Sequence, residues 1–307
     1  LAVTGGLPGR TGEIQVWNVA DRQLVLSVPI TYDTIYGGSW SPDGKLIAFG
    51  CADNTVRAIN AETGEQVLYQ GAHSDWVRDT VFSVDGSHVV SVSRDMTTKL
   101  TEVETQRFVD NVTSITPGAL KGGILSLDRH PTRDEIVVGG SDGVAKVYRM
   151  ERLTNRVIGD DGNLIRRMPP MTGRIFSVAV NQDGTRIAAG SSLDGKGEIQ
   201  VYSYEFDTSL PDNIKAINEK VVTTRSAEEN AALEKYHTDG VRLVSKTDVP
   251  TASVYAVSFH PNGQVVAAGG SDGNVRFINP ESGEVTKEFS PAPLDQPAVA
   301  RLLQAAP

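Results

Sequence analysis

The chain carries few side chains suited to nucleophilic, redox or metal chemistry: five histidines (His73, His88, His130, His237 and His260) and one cysteine, Cys51. No two histidines show the His-Glu-x-x-His spacing that sets a pair of imidazoles around zinc on one helix face. A lone cysteine cannot close an intramolecular disulfide, and it argues against a cysteine-based zinc site or a Cys-x-x-Cys-His haem attachment. Neither a phosphate-cradling Gly-x-x-x-x-Gly-Lys-Ser/Thr loop nor a Gly-x-Ser-x-Gly nucleophile elbow is present. Residues 160–163 ("DDGN") and 192–198 ("SLDGKGE") offer calcium-ligand types but too few of them for a calcium loop. The expectation is a protein with no catalytic residue, no metal and no cofactor, hence not an enzyme.

Charge narrows the partners. The net charge is −9 over 307 residues, which argues against a general nucleic-acid or anionic-membrane binder, because a phosphate footprint needs clustered Lys and Arg. No apolar run approaches the ~20 residues of a membrane-spanning helix. Hydrophobic residues make up 39% and charged residues 22%, the balance of a soluble globular chain. The question becomes which elements present which side chains.

A turn signal recurs along the chain: "SPDG" at 41–44, "SVDG" at 83–86, "HPTR" at 130–133, "NQDG" at 181–184 and "HPNG" at 260–263. His130 and His260 each stand where the first signal has Ser, so both read as turn residues. Each turn lies between two short β-branched runs, for example "ASVYAVSF" and "QVVAAGG", and an alternating run such as "GNVRFINP" follows. A more polar fourth run completes the unit. Four strands per roughly 40–45 residues is the period of a propeller blade. Between the second and third strands a second turn repeats, clearest as "GGSDG" at 139–143 and again at 269–273. Its common member is an aspartate: Asp53, Asp95, Asp142, Asp194 and Asp272. An aspartate can accept hydrogen bonds from the backbone of its own turn, so these five are read as structural.

On these motifs the chain resembles the WD40-repeat family over residues 1 to about 290. The best single repeat is 71–106, with Ala72-His73 where the family has Gly-His and Asp95 at the family's turn position. Thr101-Glu102 replaces the family's Trp-Asp, and the nearest approach to that pair is Trp17-Asn18. The family's His–Ser/Thr–Asp–Trp network is therefore incomplete in every repeat, and strand packing is expected to carry more of the load. The resemblance implies an all-β WD40-type β-propeller. The "SPDG" and "SDG" turns look like bacterial WD40 proteins, some of which are exported and fused to cytochrome c-like domains.

The repeats divide the propeller, 1–289, into blades at about 1–28 (partial), 34–70, 76–110, 123–168, 174–247 and 253–289. The first lacks its innermost strand. Seven blades are expected, with about one lying upstream of Leu1; the alternative is a six-bladed ring whose first blade is completed by the Pro- and Ala-rich tail 290–307. Insertions fall at 151–162 and 205–240. In the second, "SAEENAALEKY" opens with a Ser followed three residues later by Glu, the signature of a capped helix. It reads as surface decoration or, alternatively, as a partner-docking element.

Aligning the innermost strands gives a column at the channel mouth: Tyr36, Arg78, Leu125, Phe176 and Tyr255. A second column, just before the turn aspartate, is Ala52, Arg94, Ser141 and Ser271. Aromatic and Arg side chains suit a protein contact and serve acid–base or metal chemistry poorly. Trp17, Trp40 and Trp76 read as packing residues, with Trp76 able to reach the surface. The partner-binding candidates are therefore Tyr36, Arg78, Phe176, Tyr255, Arg94 and Trp76. The expected function is a non-enzymatic scaffold for protein partners within a larger assembly. The alternative is the propeller domain of a larger enzyme or cytochrome-type protein. The compartment leans to the exported or periplasmic, with the cytoplasm as alternative.

Overall fold

A computed structural model describes residues 1–114 and 122–291. It is an all-β propeller of antiparallel sheets taken up in chain order. Sheet 1 holds β1 (Ala2–Leu7), β2 (Thr11–Asn18) and β3 (Gln23–Thr31). Sheet 2 holds β4 (Ile35–Trp40), β5 (Leu46–Cys51), β6 (Val56–Asn60) and β7 (Gln66–Gln70). Sheet 3 holds β8 (Val77–Phe82), β9 (His88–Ser93), β10 (Thr98–Glu102) and β11 (Phe108–Asn111). Sheet 4 holds β12 (Ile124–Arg129), β13 (Glu135–Gly140), β14 (Lys146–Arg149) and β15 (Leu164–Arg167). Sheet 5 holds β16 (Arg174–Val180), β17 (Arg186–Leu193), β18 (Lys196–Ser203) and β19 (Leu243–Val249). Sheet 6 holds β20 (Val254–Phe259), β21 (Val266–Gly270), β22 (Val275–Ile278) and β23 (Val285–Phe289). The tail from residue 292 onward lies outside the described residues.

The core is split into layers, one between each pair of neighbouring sheets. Ile14, Ile35 and Phe49 fill the first, Ala58, Leu68 and Val77 the second, and Val92, Ile124 and Ile136 the third. Val147, Ile165 and Ile187 fill the fourth, and Val201, Val254 and Ile278 the fifth. This follows from strands that are apolar on both faces, so each sheet buries one face forwards and one backwards. Glycine on the second strand permits the close approach: a Cβ at Gly139 would stand 2.4 Å from Ile175 Cγ2, and one at Gly190 2.8 Å from Val254 Cγ1.

The pairing between first and second strands slips at one place in sheets 2 to 6. In sheets 3 to 6 one extra residue sits on the inner strand: Arg78, Leu125, Phe176 and Tyr255. In sheet 2 the slip spans Tyr36 and Gly37. A bulged residue leaves the ladder and re-aims its side chain. The aligned mouth column is thus a set of bulges, which is why it escapes the strand's alternation.

Neighbouring inner strands are also stitched by hydrogen bonds. Asp79 Oδ2 accepts from Leu127 N at 3.1 Å, Ser126 Oγ from Val178 N at 3.2 Å, and Ser177 Oγ from Val257 N at 3.1 Å. Asp128 Oδ2 adds Val180 N at 2.7 Å. These tethers hold the bulges of adjacent sheets at fixed spacing.

The long insertion between β18 and β19 contains two helices, α1 (Asp212–Asn218) and α2 (Ala227–Thr238), where the sequence signalled one. Ser226 caps α2 in a complete capping box with Glu229. Helix α1 lacks a side-chain cap, since Pro211 stands at its N-cap position, so it carries no such signal. Arg166 holds both roots of the insertion, donating to Asp207 O at 2.7 Å and Asp239 O at 2.8 Å. Arg149 donates to Thr208 O and, at 3.0 Å, to Tyr236 Oη.

Candidate partner-binding site at the channel mouth

The turns that frame the mouth are rigid, and four of the five turn aspartates make them so. Asp53 Oδ1 accepts from Thr55 N, Asp95 Oδ1 from Thr97 N, Asp142 Oδ1 from Val144 N and Asp272 Oδ1 from Asn274 N, at 2.9–3.2 Å. The residue just before the aspartate ties the turn to the entry of the inner strand. Ala52 N donates to Thr34 O, Arg94 N to Trp76 O, Ser141 N to Gly123 O and Ser271 N to Ser253 O.

Asp194 departs from this pattern. No hydrogen bond to its carboxylate is formed among the described residues, and its backbone sits at φ +50°. The structural role read for it from the sequence is not supported by its surroundings. Leu193 beside it is 48% exposed, and the residue four positions on is Glu198, which cannot donate to a carboxylate.

Elsewhere the position four residues after the aspartate supplies a cation. Arg57 meets Asp53 at 2.6 Å, Lys146 meets Asp142, and Arg276 meets Asp272 at 2.5 Å. Burial alone would raise the Asp53 carboxyl; hydrogen bonds from Thr55 and Thr31, with the charge of Arg57, outweigh it and hold the carboxyl low. Sheet 3 uses a different device. His73 Nδ1 lies 2.9 Å from Asp95 Oδ2, and Nε2 lies 2.8 Å from Ser91 Oγ. With Asp95 able only to accept, Nδ1 carries the proton and Ser91 donates to Nε2. Burial works against ionised Asp95, yet hydrogen bonds from His73 and Thr97 keep its pKa well below the ordinary carboxylate range. Beside the packing between sheets, sheets 2, 4 and 6 thus add an ion pair at this turn. The Asp-x-x-x-Arg/Lys spacing was visible in the sequence as a signal.

On this frame the structure brings four of the six candidate side chains into one stack. The Arg78 guanidinium lies 4.3 Å from the Tyr36 ring centroid, Tyr36 lies 6.0 Å from Trp76, and Arg94 lies 4.7 Å from Trp76. The order is cation, ring, ring, cation, drawn from sheets 2 and 3. Trp76 is 38% exposed. Asp75, which the sequence columns missed because it precedes the strand, pairs with Arg94 at 3.0 Å. Phe176 and Tyr255 form a separate edge-to-face pair at 5.3 Å, with Tyr255 49% exposed. Leu125 belongs to sheet 4, between these two groups in chain order. Trp40 is 40% exposed.

The arrangement offers aromatic faces and guanidinium groups on a frame of packed sheets, which suits docking of a polypeptide. Among the described residues no group of three or more His, Cys, Asp or Glu side chains could hold a metal ion. Cys51 is fully buried and burial pushes its thiol up to about 12, which leaves it unreactive. Among the same residues no helix is long and apolar enough to cross a membrane.

Comparison with known proteins bears on the fold and on assembly. The family model "WD domain, G-beta repeat" matches residues 64–101 and 237–279, and the model "Anaphase-promoting complex subunit 4 WD40 domain" matches residues 9–77. Eukaryotic translation initiation factor 3 subunit I of Drosophila pseudoobscura pseudoobscura is 26% identical over 202 residues, 64% of this chain and 59% of that protein. The protein of the same name from Kluyveromyces lactis is 25% identical over 56% of this chain and 48% of its own length. That from Eremothecium gossypii is 29% identical over 50% and 44%. The chain thus spans about half of the length of these relatives. Among solved structures, a crystal structure of the computationally designed Ika8 protein aligns at a TM-score of 0.61. That alignment covers 94% of this chain and 71% of the other at 17% identity, a likeness of fold alone.

Proposed function

We propose, for a chain that belongs to the WD40-repeat family, that it is a non-enzymatic scaffold that holds protein partners at the channel mouth of its propeller. The observation that carries the reading is the Arg94–Trp76–Tyr36–Arg78 stack, exposed at Arg94 and Trp76 and half-buried at Tyr36 and Arg78, seated on bulges that adjacent sheets hold in place. Aromatic and Arg side chains on a rigid support are the residue types that dominate binding energy in protein interfaces. The Phe176–Tyr255 pair supplies a second anchor. Similarity to proteins named as subunits of a translation initiation factor supports a place in a multi-subunit assembly. These relatives are eukaryotic, which does not favour the bacterial, exported setting that the turn motifs suggest. No observation favours the reading as part of a larger enzyme.

The test is cross-linking mass spectrometry on the protein in its native complexes, repeated with the double substitution Arg78→Ala, Tyr255→Ala. Partner cross-links should map to the mouth, and the variant should remain folded yet lose the partner. Unchanged capture by a folded variant removes the mouth as the binding face.

A further inference from the structure

The chemistry of the partner at this mouth can be read from which charges are already spent, on the premise that the mouth is the binding face. Around it the acidic groups are largely committed. Asp53, Asp142 and Asp272 pair with Arg57, Lys146 and Arg276. Asp95 is held by His73, Ser74 and Thr97, and Asp75 by Arg94. Asp33 accepts from the backbone N–H groups of Gly9 and Thr34.

Arg78 is different. Among the described residues it has no carboxylate partner within ion-pair distance and donates no hydrogen bond; its one recorded interaction is the Tyr36 ring beneath it. Arg174, the first residue of β16 and two before Phe176, is exposed and likewise makes no ion pair among the described residues. Asp194, in the turn of the same sheet, forms no ion pair with it. A guanidinium held over an aromatic face has its N–H groups left for another acceptor. Those groups are shaped to fork a carboxylate, and pinning lowers the entropy lost on binding.

We propose that the partner segment recognised here is an acidic peptide, with an Asp or Glu carboxylate forked by Arg78 above Tyr36 and Trp76. Arg174 takes a second carboxylate beside Phe176 and Tyr255. The net charge of −9 sharpens this assignment. A protein that repels acidic chains over most of its surface gains selectivity by leaving cations unpaired at one place.

The experiment titrates the whole chain with two capped peptides of equal length, one alternating Glu and Ser, the other Gln and Ser. Calorimetry and Trp fluorescence report binding. The Glu peptide should bind at least roughly tenfold more tightly at low salt. The advantage should shrink at high salt, fall in Arg78→Gln, vanish in the double substitution Arg78→Gln, Arg174→Gln, and persist in larger part in Arg78→Lys, which keeps the charge without the fork. Equal binding of both peptides, still lost in Trp76→Ala and Tyr255→Ala, overturns the acidic partner while leaving the mouth as the docking face. Binding of neither peptide, or binding insensitive to every mouth substitution, overturns both.

Discussion

The second turns of sheets 3 and 5 both carry an aspartate but are built differently: Asp95 lies in a four-residue loop between β9 and β10, whereas β17 and β18 pair up to Leu193 and Lys196 and leave Asp194 and Gly195 as a two-residue turn. In sheet 3, Asp95 receives hydrogen bonds from His73, Ser74 N and Thr97, and its own N–H donates to Ser93 Oγ. In sheet 5, Asp194 receives none among the described residues and stands in the left-handed region. The cause lies in the turn itself, where the two-residue hairpin puts Asp194 at positive φ and outside the loop that delivers backbone N–H groups to the other aspartates, and in the strand that follows. Sheet 3 has His73 folded over the turn, and in sheets 2, 4 and 6 a cation four residues on pairs with the aspartate. Sheet 5 has Glu198 at that position, which turns away to Gln200 and to Lys246 at 3.3 Å. A turn aspartate is structural only where neighbours deliver donors to it.

The largest expected effect breaks the stronger side of this contrast. Asp95→Ala strips the partner from buried His73 and from the turn N–H groups, and should lower stability by about 3 kcal/mol in urea unfolding. A loss no larger than that of a surface substitution would sink the network. The same network sets a pH dependence. Burial lowers the pKa of His73, so the folded chain binds that proton less readily than the unfolded one. Its contribution is therefore present at neutral pH and lost as pH falls below about 6.5. The depressed Asp95 carboxyl keeps contributing until pH drops below about 4, so the two losses separate.

A second carboxylate in sheet 3 sharpens the comparison with the opposite sign. Asp79, in the inner-strand wall, is raised to about 7, mainly by burial. The folded chain then holds its proton more tightly than the unfolded one, so that contribution is present at low pH and lost as pH rises through 7. Asp79→Asn keeps an acceptor for Leu127 N and removes the charge. It should exceed the parent in stability by about 2 kcal/mol at pH 8 and match it near pH 4. Chemical denaturation at the two pH values decides; equal midpoints at pH 8 would show that Asp79 is not strained by its charge.

The smallest effect tests the idle side. Asp194→Gly should stabilise the chain by about 0.5 kcal/mol, because glycine takes φ +50° without a Cβ penalty and no hydrogen bond is lost. Destabilisation would reveal a carboxylate role at this turn after all.

Part of this contrast was legible in the residues alone. The turn aspartates stand out by type and recurrence, and the Asp-x-x-x-Arg/Lys spacing runs through sheets 2, 3, 4 and 6 and is absent from sheet 5, although in sheet 3 Lys99 lies over the Phe108 ring and not on Asp95. The helix α2 announces itself through Ser226 and Glu229, because capping is a local interaction. Helix α1 does not, because it rests on Ile214 and Ile217 packing against Leu233 and Tyr236 across the insertion. The mouth column could be aligned, but its outward aim could not. It depends on a bulge, and a bulge is a mismatch between two strands, visible only once they are paired.

By itself the sequence determined the strand period, the all-β architecture and the acceptor at each turn, since these follow from alternation, turn chemistry and spacing within a few residues. The tertiary structure decided which of those groups are spent and which are left over. Tyr36, Trp76, Arg78 and Arg94 come from two sheets, and their stacking depends on how closely neighbouring inner strands approach. Charge pairing and ring stacking act over a few ångströms of space, whatever the separation along the chain, so the free guanidinium of Arg78 exists only as a property of the assembled sheets.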